Sequence, residues 1–232
     1  MDALRSALFS LIFYPASGIF ALGGVLALPF GHKRVQQVAY GWSAFHRACA
    51  RFILRIDIAM EGALSQGQVI YALKHESFFE AIELPRLLVA SPIPFAKAEL
   101  LRIPIWGRAA SNYGMIPVER DQGAAGLRIM AKEARRMKAT GRSFAIFPEG
   151  TRVPSGCEPA LRAGFAGIYK LLNLPVVPVA VNSGHLYQGS PKRRGTITYR
   201  FGEIIPAGLE RDEVERRVHA AINALNPPAQ AE

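Results

Sequence analysis

Val69-Ile70-Tyr71-Ala72-Leu73-Lys74-His75-Glu76-Ser77-Phe78-Phe79-Glu80 is an apolar run that turns polar within two residues and then resumes as a helix start. The run Val69 to Leu73 reads as a buried strand. Ser77 followed three residues later by Glu80 is the sequence form of a capping box. Working outward, the same alternation recurs. Candidate strands are Ile56 to Met60, Tyr113 to Val118, Ser143 to Phe147, Val176 to Val181 and Thr196 to Phe201. Candidate helices are Phe78 to Leu84, Ala124 to Ala139 closed by Gly141, Ala163 to Leu172 closed by Asn173, and Arg211 to Leu225. Strands alternating with helices predict an α/β domain with a mostly parallel central sheet flanked by helices. Its expected extent is 56–225, with 226–232 a flexible tail.

Upstream of that domain, no Asp, Glu, Lys or Arg occurs from Ser6 to Gly31. As one helix this stretch would be about 39 Å long, more than the roughly 30 Å of a bilayer's hydrocarbon. Pro15, Gly18, Gly23, Gly24 and Pro29 argue instead for two short helices meeting around Pro15 to Gly18. Residues 1–31 are therefore expected to be an apolar membrane anchor, either re-entrant or a single tilted span, with a cleaved signal peptide the third reading. Residues 32–55 follow as a basic amphipathic helix. Val35, Val38, Trp42, Phe45, Cys49 and Phe52 form its apolar stripe, and Arg34, Arg47, Arg51 and Arg55 its charge. Two uses of the stripe stay open: Trp42 and Phe45 dip into an anionic membrane surface, or they pack on the protein's own domain. The positive charge would keep this side cytoplasmic.

The chain has 232 residues, half of them hydrophobic, enough for a well-filled core and too many for disorder. Lys and Arg number 28 against 18 Asp and Glu, a net charge of +10 that favours anionic partners. The two cysteines, Cys49 and Cys157, have no zinc or disulfide spacing, so no metal is expected, and there is no nucleotide-binding glycine loop. The basic run Lys192-Arg193-Arg194 lacks the aromatic or zinc pattern of a nucleic-acid binder, so no nucleic acid is expected.

Three windows carry chemistry. His75 and Glu80, five apart, would lie roughly 140° from each other on one helix, and on opposite faces of one strand. A strand that turns at His75 and starts a helix near Ser77 would bring them together. Glu80 would then orient the imidazole while the other ring nitrogen takes a proton from a substrate hydroxyl. The bland alternative is that Glu80 only caps the helix and His75 is an ordinary loop residue. In Phe147-Pro148-Glu149-Gly150-Thr151-Arg152, Gly150 permits close approach of a ligand, while Thr151 and Arg152 offer donors to phosphate oxygens. Gly114-Met115-Ile116-Pro117-Val118-Glu119-Arg120 delivers Arg120 to the end of a strand.

In this order, and with Leu174-Pro175-Val176-Val177-Pro178-Val179 after them, these windows resemble the four blocks of the glycerolipid acyltransferase family. Within it they are most similar to bacterial members that acylate 1-acyl-sn-glycerol 3-phosphate. The resemblance covers about Ile56 to Phe201. It implies a fatty acyl group moved from an acyl carrier protein or coenzyme A thioester to the free hydroxyl of a lysophospholipid, giving phosphatidic acid. No cofactor is implied, and the location would be the cytoplasmic face of the bacterial inner membrane. It also implies His75 as general base with Glu80 its partner, and Gly114, Arg120, Glu149, Gly150, Thr151 and Arg152 in the glycerol-phosphate pocket. Lys97 matches a basic position of the family and is assigned to phosphate. Two departures are Glu80, where the family mostly has Asp, and Pro117, where it usually has an aromatic. Cys157 has no local basic partner to activate it and is read as a bystander. The rivals are an acyltransferase for another acceptor, such as a lyso-ornithine lipid or glycerol 3-phosphate, and a non-catalytic membrane lipid-binding protein.

Overall fold

The computed structural model describes residues 1–88, 91–119 and 123–227. In chain order the elements are α1 (Asp2–Leu26), α2 (His32–Cys49), β1 (Ile56–Glu61), β2 (Ile70–Leu73), α3 (Phe78–Leu87), β3 (Ile93–Lys97), α4 (Ala98–Leu101) and α5 (Trp106–Tyr113). They continue as β4 (Ile116–Val118), α6 (Gly123–Lys138), β5 (Phe144–Ile146), α7 (Ala163–Leu172), β6 (Val176–Val181), α8 (Gly184–Tyr187), β7 (Gly195–Phe201) and α9 (Arg211–Ile222). Seven strands form one sheet in the order β1-β7-β6-β2-β5-β3-β4. Every pairing is parallel except β6 with β7. The fold is α/β, as the alternation of patterns predicts.

The central strand β2 is buried on both faces, and its side chains divide by the two-residue period of a strand. Tyr71 and Leu73 join a core with Phe79 and Ile82 of α3. Ile70 and Ala72 join the opposite core, with Met130 and Ala134 of α6, Phe165 and Ile168 of α7, and Val214 and Val218 of α9. Helices thus cover both faces, the arrangement a mainly parallel sheet needs. All the parallel strands run so that β2, β5, β3 and β4 end at one edge, where a doubly covered sheet presents its loops for chemistry.

The N-terminal segment corrects one expectation and bears on a choice left open. Asp2–Leu26 is one continuous helix with Pro15 inside it, not two short helices. Pro15 removes one hydrogen bond, but Ser17 Oγ donates to the Phe13 carbonyl (2.8 Å) and accepts from Trp42 Nε1 (2.9 Å), tying the turn to α2. Phe9 and Phe13 are buried in the same core as Tyr71 and Phe79, which packs α1 against the domain. Trp42 and Phe45 also pack on that core, Trp42 stacking on Phe13 and Phe45 meeting Phe20, so these two residues pack on the protein's own domain, whereas Phe52 at the end of the stripe is exposed. The outer face of α1 is different. Leu4, Leu11 and Ile19 are each 73% exposed, and the helix is long and apolar enough to cross a membrane. This single N-terminal apolar helix is consistent with membrane association. After α2 a wider helical turn, Ala50–Leu54, carries the chain to Arg55, whose left-handed backbone (φ 60°) stops it before β1.

Candidate active site

The strand β2 ends at Leu73, and the turn after it places three buried ionisable residues and one partly open histidine at the carboxyl edge of the sheet. His75 Nδ1 lies 2.9 Å from Glu80 Oε2, and the imidazole stacks on Phe147 with ring centroids 4.0 Å apart. The ring is 15% exposed, whereas the Glu80 carboxylate is fully buried. With Nδ1–H donating to the carboxylate, Nε2 carries the free lone pair. Among the described residues, no hydrogen bond engages that nitrogen.

The capping and the catalytic readings of Glu80 are both realised, by the same side chain. Glu80 Oε2 accepts from the Ser77 backbone N–H (2.9 Å) as well as from His75, completing a capping box at the start of α3. Ser77 Oγ in turn accepts from the Phe79 N–H (3.1 Å). Glu80 Oε1 accepts from Ser77 Oγ (3.2 Å) and from Ser183 Oγ. Four donors therefore hold this carboxylate, and its location in the first turn adds the favourable end of the helix dipole. Glu80 reaches His75 because the cap fixes it there.

Behind the histidine stands a second buried network. Lys74, fully buried, donates from Nζ to Glu149 Oε1 (2.7 Å), to Asn223 Oδ1 (2.6 Å) and to the Cys157 carbonyl (2.7 Å). Glu149 Oε2 accepts from the His75 backbone N–H (3.1 Å), and the His75 carbonyl accepts from Val153 N (2.7 Å). The backbone on both sides of the imidazole is thereby fixed by the loop after β5. Both oxygens of Glu149 are used within the protein and the residue is 2% exposed, so its place is behind the histidine rather than open to a phosphate. Glu76, also buried, accepts from the Gly184 N–H (2.7 Å); burial pushes its carboxyl up to about 7, against the pull of that hydrogen bond.

The other residues singled out in the sequence separate into two groups. Arg152 is exposed beside the site, with its guanidinium 4.0 Å from the ring centre of Phe78, the first residue of α3. Thr151 is exposed next to it. Gly150 has φ +71°, and a Cβ there would meet Arg162 Cγ at 2.9 Å, so the loop needs glycine on both counts. Lys97 is exposed at the end of β3, on the same sheet edge as His75. Gly114 is not gathered with them. It lies at the opposite edge, before β4, with φ +106° and the side chains of Met137 and Arg142 against its α-carbon. Arg120 lies outside the described residues. The sequence reading missed Lys74, Ser183, Asn223 and Arg162. Ser183 offered a faint signal, standing just past the apolar strand Val176–Val181.

A model of the family described as Acyltransferase matches residues 55–182, more than half of the chain, and takes in Lys74, His75, Glu80 and Glu149, with Ser183, Gly184 and Asn223 lying beyond it. The chain belongs to the acyltransferase family. Among curated proteins it is 29% identical, over its whole length and 89% of the relative's, to a 1-acyl-sn-glycerol-3-phosphate acyltransferase of Pseudomonas aeruginosa. It is 25% identical to the human 1-acyl-sn-glycerol-3-phosphate acyltransferase beta, over 95% of this chain and 81% of that one. The fold matches the crystal structure of the 1-acyl-sn-glycerophosphate (LPA) acyltransferase PlsC from Thermotoga maritima, with TM-score 0.77 and 21% identity, over 97% of this chain and 95% of that one. This acyltransferase family member therefore has its histidine–carboxylate pair inside the matched region, at the edge of the sheet where loops gather.

Proposed function

We propose that the protein transfers a fatty acyl group from an acyl thioester, carried by acyl carrier protein or coenzyme A, to the sn-2 hydroxyl of 1-acyl-sn-glycerol 3-phosphate. The product is phosphatidic acid, made at the cytoplasmic face of a bacterial inner membrane. The observation that carries this reading is the His75 Nδ1–Glu80 Oε2 contact of 2.9 Å with Nε2 left free. In this reading Nε2 removes the proton of the acceptor hydroxyl as its oxygen attacks the thioester carbonyl. Glu80 stabilises the imidazolium that forms. The tetrahedral intermediate then collapses, the carbon–sulfur bond breaks, and the imidazolium returns its proton to the departing thiolate. No protein nucleophile takes part. Cys157 is exposed, and its engaged groups are in the backbone, its carbonyl accepting from Lys74 and its N–H donating to the Pro154 carbonyl. The acceptor's phosphate is assigned to Arg152 and Lys97, cationic side chains on the same edge, with Arg120, Gly150 and the Thr151 hydroxyl proposed to complete the pocket. Its acyl chain and the exposed face of α1 both suit a membrane-attached enzyme.

Purified protein in detergent, given an acyl thioester with lysophosphatidic acid, a lyso-ornithine lipid or glycerol 3-phosphate in parallel, tests the proposal through free-thiol release. Release is expected with lysophosphatidic acid, and to fall by about 10² to 10⁴ in His75→Ala with melting temperature unchanged. A preference for either other acceptor would overturn the acceptor assignment. His75→Ala activity within threefold of the parent would overturn the base.

A further inference from the structure

At the sheet edge opposite the histidine, where β3, β4 and β5 begin, the described residues line an open pocket of about 860 Å³ with no acidic side chain in its lining. His32 and Lys33 reach it from the first turn of α2, Arg136 from α6, and Arg142 from the start of β5. Arg142 gives its donors to the carbonyls of Ser91 (2.8 Å), Tyr113 (2.9 Å) and Pro92 (3.3 Å), so no carboxylate neutralises its charge. Arg136 is held by Glu133 (2.9 Å). Gln36 and Asn112 also line the space; Gln36 Nε2 is a buried donor without a partner, and Asn112 Oδ1 a buried acceptor without one, which a headgroup hydroxyl would meet. A pocket that gathers cations and leaves an amide donor unpaired suits an anion.

On the other side of the same helix is its chemical opposite. Between α1 and α2 runs a groove of about 790 Å³ lined by Ile19, Phe20, Leu26, Phe30 and Val38, with Arg34 at its border. Leu26 and Phe30 are 65% and 75% exposed along it. Gln37 lines both spaces and accepts a hydrogen bond from Arg34 Nη1 (2.9 Å), so only one side-chain ridge separates the basic cavity from the apolar groove. One molecule with an anionic head and a hydrocarbon tail would satisfy both.

We propose that the α1–α2 hairpin holds one anionic membrane phospholipid, its phosphate headgroup in the basic cavity and an acyl chain in the groove, apart from the histidine site. The occupant is a lipid rather than a free anion because the apolar groove adjoins the cavity. It is a lipid rather than an acidic protein because the cations line a pocket of small-molecule size that an apolar groove adjoins. Bound there, the lipid would fix the hairpin at the surface of a charged bilayer, at the opposite end of the sheet from the chemistry.

Native mass spectrometry of the full-length His75→Ala protein in detergent reads this without reference to turnover, and so stands whether or not the proposed reaction does. The probes are phosphatidylglycerol, phosphatidylcholine with the same chains, and inorganic phosphate. One phosphatidylglycerol per chain is expected, retained at concentrations about tenfold lower than phosphatidylcholine. Lys33→Glu with Arg136→Glu should raise the concentration required by tenfold or more, and the milder Lys33→Gln with Arg136→Gln should do so by severalfold if the first pair fails to fold. Gly41→Phe, which fills the groove beside Phe20, should weaken retention of the lipid without changing its headgroup preference. Equal retention of the two lipids, indifference to both charge substitutions, or displacement by inorganic phosphate alone would each overturn the proposal. So would binding of an acidic carrier protein that is lost in the charge variants while lipid retention is kept.

Discussion

Two histidines bond to two carboxylates three residues apart on α3, His75 to Glu80 (2.9 Å) and His46 to Glu83 (3.1 Å). The second pair lies wholly inside the protein. His46 Nε2 meets the Tyr187 hydroxyl at 2.9 Å, and its ring is surrounded by Phe13, Phe79 and Tyr187. Glu83 has its other oxygen on Arg47 Nε (2.8 Å), so its charge is already balanced. Burial holds His46 below the usual histidine range despite the carboxylate beside it. With Nδ1–H on Glu83 and the tyrosine hydroxyl donating to Nε2, both ring nitrogens are spent. Glu80 has no arginine; hydroxyls and N–H groups hold it, and its charge remains for an imidazolium to use. The same two side-chain types make a structural joint between α2 and α3 in one place and an acid–base pair in the other. Access to Nε2 and the partner of the carboxylate decide which.

A third buried carboxylate gives the harshest break in that pattern. Lys74→Met would leave Glu149 buried without its cation, and removing one partner of a buried ion pair typically costs about 3–5 kcal/mol. Chemical denaturation should show that loss, and Lys74→Met with Glu149→Met should recover most of it. The double variant should remain slow in turnover, because Glu149 no longer holds the His75 N–H. Recovery of full activity in the double variant would show that this bond does not position the base.

The structural histidine sharpens the comparison from the other side. His46→Phe should destabilise by roughly 1–3 kcal/mol for each buried group left without a partner, here Glu83 Oε1 and the Tyr187 hydroxyl. Turnover per folded molecule should stay within a few-fold of the parent. The pH dependence follows from the lowered pKa of His46. Its contribution is present above the unfolded value near 6.5 and is lost as pH falls below it, so this part of the acid loss should disappear in His46→Phe.

Glu76 should act with the opposite sign. Its carboxyl is raised from 4.5 to about 7, first by burial, so its favourable contribution is complete below about 4.5 and is lost as pH rises through about 7. Glu76→Gln, which mimics the neutral acid, should flatten the fall in stability over that interval, an effect of the order of 1–3 kcal/mol. Melting curves of parent and variant between pH 4.5 and 7 measure it directly.

How much of this was legible depended on distance along the chain. The helix Ala163–Leu172 with its Asn173 cap stands in the structure as its pattern indicates, Asn173 adopting φ +46°. The His75–Glu80 contact needed only a strand, a turn and a cap, all local. Lys74, Asn223 and Ser183 were silent, because Asn223 comes to Lys74 across 149 residues and Ser183 to Ser77 across 106, through a strand order no single window encodes. Strand β3 was hidden by Pro94 in Ile93–Lys97, which reads as a breaker. Tyr113, expected at the start of a strand, ends the short helix α5 instead, and only Ile116–Val118 pairs with β3. Pro15 misled for a related reason. Its lost hydrogen bond is local, while the packing of Phe9 and Phe13 that outweighs it comes from residues far along the chain.

The smallest change bears most directly on the pair at the sheet edge. Glu80→Gln keeps a carbonyl oxygen for the Ser77 N–H and His75 Nδ1, and its amide can donate to the Ser77 and Ser183 hydroxyls, so the geometry is retained and only the charge is removed. Turnover and melting temperature measured together on this variant separate the cap from the catalytic partner. The expected result is a melting temperature near that of the parent, with kcat lower by about tenfold or more, because a neutral amide stabilises an imidazolium far less than a carboxylate does. Full activity, or stability and activity lost in parallel, would contradict the pairing of Glu80 with His75.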